Sequence, residues 1–249
     1  MYRVVIPARY ASTRLPGKAL LTIGGKPMIQ WVYERACKTC TSEVLIATDD
    51  LLIASAAHSF GAEAVMTAAT HESGTDRIAE VARLKGWADN DIVVNVQGDE
   101  PAIPPASIDQ VASLLARYSK AHIATLATPI TSFAEFLDPN AVKVVTDTEG
   151  RALYFSRAPI PWDRDGAAGG LAAFADARRH VGIYAYRVGA LLRMASLPRT
   201  ALEKLEKLEQ LRALENGLEI RVADSHEPPG PDVNTPADLE RVTKLLNAR

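Results

Sequence analysis

Arg9, Arg14 and Lys18 fall within ten residues of one another near the start of the chain, with no acid between them. Small and hydroxyl residues among them (Ala11, Ser12, Thr13, Gly17) let a backbone come close to a ligand and add N–H and O–H donors. Such a loop suits a polyphosphate, although three scattered cations are also what a solvated surface loop carries. It is not a Walker A sequence, because Pro16-Gly17-Lys18-Ala19 lacks the hydroxyl after the lysine and the first glycine spacing fails. A second candidate is Asp99 in Gln97-Gly98-Asp99-Glu100-Pro101. Carboxylate and water oxygens suit Mg²⁺, which keeps several waters and is held jointly with substrate phosphates. An Asp in an ordinary turn is common, but a metal–polyphosphate needs both the acid and the basic loop.

The third candidate is His71-Glu72-Ser73-Gly74-Thr75-Asp76-Arg77. Ser73 or Thr75 can cap a helix there, and a helix start with a glycine and two hydroxyls is also an anion or base-edge site. Capping accounts for the hydroxyls but not for Gly74 and Arg77 beside them. From these residues the chemistry is a magnesium-assisted reaction at a nucleoside polyphosphate with no obvious protein nucleophile. Neither a Gly-x-Ser-x-Gly elbow nor a His-Glu-x-x-His motif is present. Which phosphorus is attacked is not legible at this level.

The elements that must position these residues follow from hydrophobic patterning. Val4-Val5-Ile6, Val44-Leu45-Ile46 and Ile92-Val93-Val94 are short apolar runs, the pattern of strands buried on both faces of a parallel sheet. Pro7 ends the first, since proline removes a ladder donor. Helical stretches alternate with the strands, predicting an α/β chain with a doubly wound, mostly parallel sheet. In such sheets ligands bind beyond the carboxyl ends of the strands, which is where the basic loop and Asp99 fall. Asp49-Asp50 are expected to cap a helix from Leu51 to Phe60. Ala141–Val145 and Ala152–Phe155 flank turn residues and predict a hairpin; Asp163–Asp176, rich in glycine and alanine, predicts a mobile loop. His180 and Tyr184 share one face of a strand running to Arg187, and His180 taken alone reads as a structural histidine. Thr200–Glu203 fits a capping box opening one helix through Leu202, Leu205, Leu208, Leu211 and Leu214, multiply buried rather than a coiled-coil seam. Thr235-Pro236 caps a last helix.

The bulk properties exclude several classes. The 249 residues are 47% hydrophobic and 23% charged, with a net charge of −2. That is an ordinary globular composition with no basic field for nucleic acid. With neither a signal-peptide pattern nor a bilayer-length apolar run, no membrane partner and a cytoplasmic location are expected. Cys37 and Cys40 end a helical stretch instead of starting one, so they read as two reduced thiols and not as a redox pair.

The loop from Ile6 to Lys18 closely resembles the signature of the 3-deoxy-manno-octulosonate (Kdo) cytidylyltransferase family. So do His71–Arg77, Asn95–Pro101, Asn140–Val145, Ala152–Trp162, Arg179–Tyr186 and Leu208–Arg212, in the family's order along the whole chain. The resemblance implies a Rossmann-like nucleotidyltransferase fold in a single domain, 1–249. Residues 1–130 and 215–249 would form its nucleotide part, and 131–214 a smaller sugar-binding and dimerisation part. It implies joining of CTP to Kdo, with CMP-Kdo and pyrophosphate as products, for bacterial lipopolysaccharide synthesis. Arg9, Arg14, Lys18 and Asp99 would be catalytic. Ala8, Ser12, Ser73, Thr75, Arg77 and Gln97 would join Arg9, Arg14 and Lys18 on the nucleotide. Arg157 would meet the Kdo carboxylate, and His180, Tyr184, Glu209 and Gln210 its hydroxyls. Mg²⁺ would be held by Asp99 and by Asn234, which stands where the family usually has Asp, so one ligand charge is missing. Asp232, two residues earlier, is a further candidate of unread direction. A homodimer is expected through Ala152–Leu214. The rivals are a cytidylyltransferase for sialic acid or an amino-Kdo analogue, and a nucleotide-binding regulator without catalysis.

Overall fold

The computed structural model describes residues 1–11, 15–164, 174 and 176–247. The chain begins with β1 (Tyr2–Ala8), a 3-10 turn (Lys18–Leu20), a two-stranded ribbon of β2 (Thr22–Ile23) and β3 (Lys26–Pro27), and α1 (Met28–Ala36). Strict alternation follows: β4 (Glu43–Thr48), α2 (Leu51–Ser59), β5 (Glu63–Met66), α3 (Gly74–Leu84), β6 (Ile92–Asn95), α4 (Pro105–Arg117) and β7 (Ile123–Pro129). Then come α5 (Phe133–Leu137), β8 (Lys143–Thr146), β9 (Ala152–Ser156), β10 (Arg178–Arg187) and α6 (Val188–Ser196). The chain finishes with α7 (Ala201–Glu206), α8 (Gln210–Glu215), β11 (Ile220–Asp224) and α9 (Pro236–Asn247).

One sheet runs in the order β11-β7-β10-β6-β1-β4-β5, with β8 and β9 attached beside β10. The pairs β1–β4, β1–β6, β4–β5 and β7–β11 are parallel. β10 lies antiparallel between β6 and β7. β1 shows why its apolar run is unbroken. Val4 and Ile6 pack on one face with Ile29 and Val32 of α1, Ile53 of α2 and Val111 of α4. Val5 packs on the other with Ile78 and Val81 of α3 and Leu191 and Met194 of α6. With helices on both faces, neither side of the strand meets water. β1, β4 and β6 therefore release their loops at one common edge.

The structure departs from sequence expectation in four places. The leucine-rich stretch is two helices, not one: Lys207 adopts a left-handed conformation (φ 56°) that ends α7 before α8 begins. Leu205 is consequently 80% exposed instead of buried. Asp50 does cap α2, accepting from Leu52 N and Ile53 N at 2.8 and 3.1 Å, but Asp49 turns away to Arg77. Helices α5 and α6 were not legible in advance, although Val188, Leu191 and Met194 of α6 recur at spacing three. Of the capping box, Glu203 accepts the Thr200 N–H at 3.2 Å, while the Thr200 hydroxyl is buried without a partner. The hairpin of β8 and β9 and the Thr235 cap of α9 (Asp238 N to Oγ1, 3.2 Å) are as expected. Ser12, Thr13 and Arg14 lie outside the described residues, as does most of the glycine-rich loop. Among the described residues no helix is long and apolar enough to cross a membrane.

Candidate active site

At the strand edge a cavity of about 300 Å³ opens between the end of β1 (Pro7, Ala8, Arg9), the 3-10 turn (Lys18), the start of α3 (Ser73, Gly74, Arg77) and the loop after β6 (Gln97, Gly98, Asp99). Six of the residues predicted for a nucleotide meet here, Ala8, Arg9, Lys18, Ser73, Arg77 and Gln97, together with Asp99, predicted for the metal; Thr75 does not line this cavity. The close approach of two strand ends depends on Gly98, where a Cβ would stand 2.9 Å from the Pro7 carbonyl oxygen.

The centre of the site joins residues far apart in the chain. Val233 N donates to Asp99 O at 2.9 Å, and the segment before it lies so close that a Cβ on Gly230 would be 2.3 Å from Ala102 O. This docking brings Asn234 to Asp99. The Lys18 ammonium then sits between them, 2.6 Å from Asp99 Oδ2 and 3.1 Å from Asn234 Oδ1. Two oxygens converging on one cation are a fit for Mg²⁺, which completes its shell with waters and substrate phosphates. No cluster of three or more His, Cys, Asp or Glu exists among the described residues to hold a metal unaided. Asp232 accepts a hydrogen bond from Asn234 Nδ2, so its carboxylate aims the amide oxygen at the cation. Burial, then the charges of Asp99 and Asp232, push the Glu100 carboxyl up to about 8.

Arg77 is 3% exposed, and its guanidinium is held by Thr67 Oγ1 and by Asp49 at 3.1 Å. It reaches the cavity wall as a braced charge. Ser73 caps α3 by accepting from Asp76 N at 3.1 Å.

A second cavity of about 110 Å³ adjoins the first; Gly74 and Gln97 line both. Its other walls are Thr75, Asn95, Tyr184, Tyr186, Met194, Glu209 and Gln210. The break at Lys207 is what turns Glu209 and Gln210 into it. Glu209 accepts from Ser73 Oγ and Thr75 Oγ1, both at 3.0 Å. Burial raises the Glu209 carboxyl, and the two hydroxyls with nearby Arg212 oppose that rise. Three of the five predicted sugar contacts line this cavity: Tyr184, Glu209 and Gln210. Asn95, Tyr186 and Met194 were missed; in the apolar β6, Asn95 was the one polar residue that could have signalled the site.

The other two predicted sugar contacts line neither cavity. Arg157 Nε and Nη1 donate to the carbonyls of Glu206 and Pro139 at 2.7 and 2.9 Å. His180 lies between Phe155 and Tyr184, each 5.2 Å away between ring centroids. Its Nε2 is 2.9 Å from Thr125 Oγ1. The Thr125 hydroxyl proton goes to the Ile183 carbonyl at 2.7 Å, so the ring N–H donates to Thr125. Burial pushes this imidazole down to about 3. An NMR pH titration is therefore expected to show the His180 ring neutral throughout pH 5 to 8. Below the ordinary histidine pKa of about 6.5 the unfolded chain takes up a proton that the folded ring refuses. Stability is accordingly lost as pH falls from that value toward 3, and His180→Gln should flatten this limb of the stability profile.

Comparison with known proteins places these features in context. A family model described as "Cytidylyltransferase" matches residues 3–220. A 3-deoxy-manno-octulosonate cytidylyltransferase of Thioalkalivibrio sulfidiphilus is 56% identical over 248 residues, covering 99% of each chain. That of Pseudomonas syringae pv. syringae is 57% identical over 98% of each. A solved structure of a CMP:2-keto-3-deoxy-manno-octonic acid synthetase complexed with CTP superposes with a TM-score of 0.91 at 45% identity, covering 100% of this chain and 99% of the other.

Proposed function

The chain belongs to the 3-deoxy-manno-octulosonate cytidylyltransferase family, and from that premise we propose that it joins CTP to Kdo, releasing pyrophosphate and forming CMP-Kdo. The observation that carries this reading is the pair of adjoining cavities. One is rich in cations and holds Asp99, Lys18 and Asn234; the other is lined by hydroxyls, a carboxylate and amides.

The anomeric hydroxyl of the sugar attacks the α-phosphorus. A sugar oxygen–phosphorus bond forms, the bond to the β-phosphate oxygen breaks, and the hydroxyl proton is released. Arg9 and Lys18, with Arg14 from the same loop, neutralise the triphosphate and the charge growing on pyrophosphate, so catalysis is positioning and electrostatics. Asp99 and Asn234 would hold Mg²⁺, which would supply Lewis acidity and a template for the phosphates. The Lys18 ammonium, paired with Asp99 at 2.6 Å in the free chain, would turn to the phosphate oxygens. Gln97, on both walls, faces nucleotide and sugar alike. Tyr184, Glu209 and Gln210 take the sugar hydroxyls. Arg157 is proposed for the sugar carboxylate through the N–H groups that the Glu206 and Pro139 carbonyls leave unused. His180 acts on the sugar side through Tyr184.

The enzyme is further read as a cytoplasmic homodimer. Leu153, Trp162 and Leu205 are each more than 60% exposed, in the stretch where the partner is expected. Cys37 and Cys40 are unpaired thiols, which the cytoplasm keeps reduced.

The test is pyrophosphate release with CTP, Mg²⁺ and Kdo, repeated with EDTA and with sialic acid or amino-Kdo in place of Kdo. Release that requires metal and is fastest with Kdo supports the reading; fastest release with another acid sugar, or none, removes it. Metal ligation by Asn234 has its own test. In Asn234→Asp the added charge should tighten Mg²⁺ binding by roughly tenfold, because affinity in such sites follows ligand charge. It also stands beside Asp232, so the variant should melt lower without Mg²⁺ and gain more from Mg²⁺ than the wild type. Unchanged magnesium titrations of activity and melting would take Asn234 out of the metal site.

A further inference from the structure

Thr75 is the second residue of α3, only 2% exposed, and it lines the smaller cavity and not the larger one. Capping does not account for its hydroxyl, because the cap of α3 is Ser73. The Thr75 Oγ1 instead donates to Glu209 Oε2 at 3.0 Å, a partner 134 residues away in sequence. Ser73 Oγ reaches Glu209 Oε1 at the same distance, but it is equally 3.0 Å from Asp76 Oδ2. A hydroxyl carries one proton, so Ser73 serves one carboxylate at a time. Among the described residues the Thr75 hydroxyl meets no carboxylate other than that of Glu209. It is the dedicated donor.

A ligand would feel that hydroxyl through Glu209, whose side chain is 30% exposed and lines the smaller cavity. An ionised carboxylate has about four lone-pair sites, so two hydroxyl donors leave it room for more. Several groups act on its charge. Burial raises the carboxyl, Thr75, Ser73 and Arg212 hold it down in that order, and Asp76 pushes it up again. Tyr184 and Tyr186 face it from β10, both phenols pushed up by burial. Glu203 stands behind Arg212 on α7, paired with it at 2.5 Å. A hydrogen bond to an ionised carboxylate favours the ionised form, which is what the Thr75 hydroxyl supplies.

We propose that Thr75 is a positioning residue for the sugar substrate, its hydroxyl holding the Glu209 carboxylate in place to accept hydroxyls of the polyhydroxy acid bound in the smaller cavity. This rests on the reading of that cavity as the sugar site. Helix α3 is fixed against the sheet through Ile78 and Val81, so the donor stands ready before the ligand arrives. An acceptor held in this way loses little freedom on binding.

Thr75→Val keeps the shape of the side chain and removes the hydroxyl. At saturating CTP and Mg²⁺ the KM for Kdo should rise by roughly tenfold, the worth of one hydrogen bond to a charged group at its lower range. The KM for CTP should stay within twofold. The acid limb of kcat/KM for Kdo should move to higher pH, because one of the groups holding the Glu209 carboxyl down is gone. Ionisation of the substrates is common to both enzymes and cancels in the comparison. Thr75→Ser, which keeps the hydroxyl, should restore both the KM and the limb; a packing role for Thr75 would not move the limb. In a Glu209→Gln background Thr75→Val should change the KM for Kdo by less than twofold, since its action runs through that carboxylate. An unchanged KM for Kdo, an unmoved limb, or a rise in the KM for CTP in its place overturns the proposal. Should the valine variant fail to fold, Thr75→Ala is read by the same measurements. The wild type and Glu209→Gln are assayed first. A wild type that does not use Kdo, or a Glu209→Gln variant with unchanged KM for Kdo, overturns the sugar-site reading and this proposal with it; failure of the Thr75 variants alone overturns only the proposal.

Discussion

Asp99→Asn is expected to lower kcat for pyrophosphate release by roughly three orders of magnitude, the scale of losing a principal electrostatic contact in the transition state. The expectation comes from the charge inventory around Lys18. The proposed ligand Asn234 is neutral, burial and its acidic neighbours raise the Glu100 carboxyl, and the Asp232 carboxylate is turned to the Asn234 amide. Without Asp99 the cation would meet two amide oxygens and no formal charge. Lys18 would lose its 2.6 Å partner as well, so excess magnesium should restore only part of the rate. The Asp99 side chain is 32% exposed, and the variant should fold and melt near the wild-type temperature. Activity within tenfold of wild type at saturating CTP and Mg²⁺ would refute the assignment.

Glu203→Gln is expected to cost about 3–5 kcal/mol of stability, because it leaves a buried charge without its partner. Arg212 and Glu203 are 6% and 7% exposed at the side chain and meet in a two-pronged contact of 2.9 and 2.5 Å. Arg212 also stands 3.8 Å from Glu209, so the pair underpins a wall of the smaller cavity. Burial alone would raise the Glu203 carboxyl, but Arg212 outweighs it and holds it below the ordinary value. The sign follows: a carboxyl with a lowered folded-state pKa stabilises fully above its unfolded value, and the benefit disappears as pH falls through the folded value. Urea titrations should therefore show the largest gap between wild type and variant at neutral pH and a narrowing gap below about pH 4. A gap independent of pH would mean that the ion pair is not its source.

What could be read from the chain, and what could not, divides along physical lines. Val4-Val5-Ile6 announced a strand covered on both faces because both alternate sets of side chains are apolar. The larger cavity was legible because its groups come from three short segments, each carrying its own chemistry: the cations after β1, the hydroxyls before α3 and the acid after β6. The smaller cavity was only half legible. Lys207 bends the backbone through a left-handed conformation that lysine seldom adopts. No glycine or proline marked it, so one leucine-rich helix was expected where two stand. Asp49 and Asp50 are alike in type and adjacent in sequence, but one caps a helix and the other braces Arg77; only the direction of the chain at that turn separates them. Arg157 has the residue type for a carboxylate partner, and the carbonyls that hold it in this structure lie 18 and 49 residues away in sequence.

Gly74 and Gln97 face both cavities, so the two share part of their walls. With the substrates placed as proposed, a molecule carrying a nucleoside phosphate and a sugar acid on a short bridge would occupy both chambers at once. Its second half then binds at the effective concentration set by the tether, which can add a factor of roughly 10² to 10⁴ in affinity without any new contact. The coupled product is such a molecule. An arrangement that aligns two substrates for joining would also slow the departure of their conjugate, and the shared wall is then the place for a bridging inhibitor to grip.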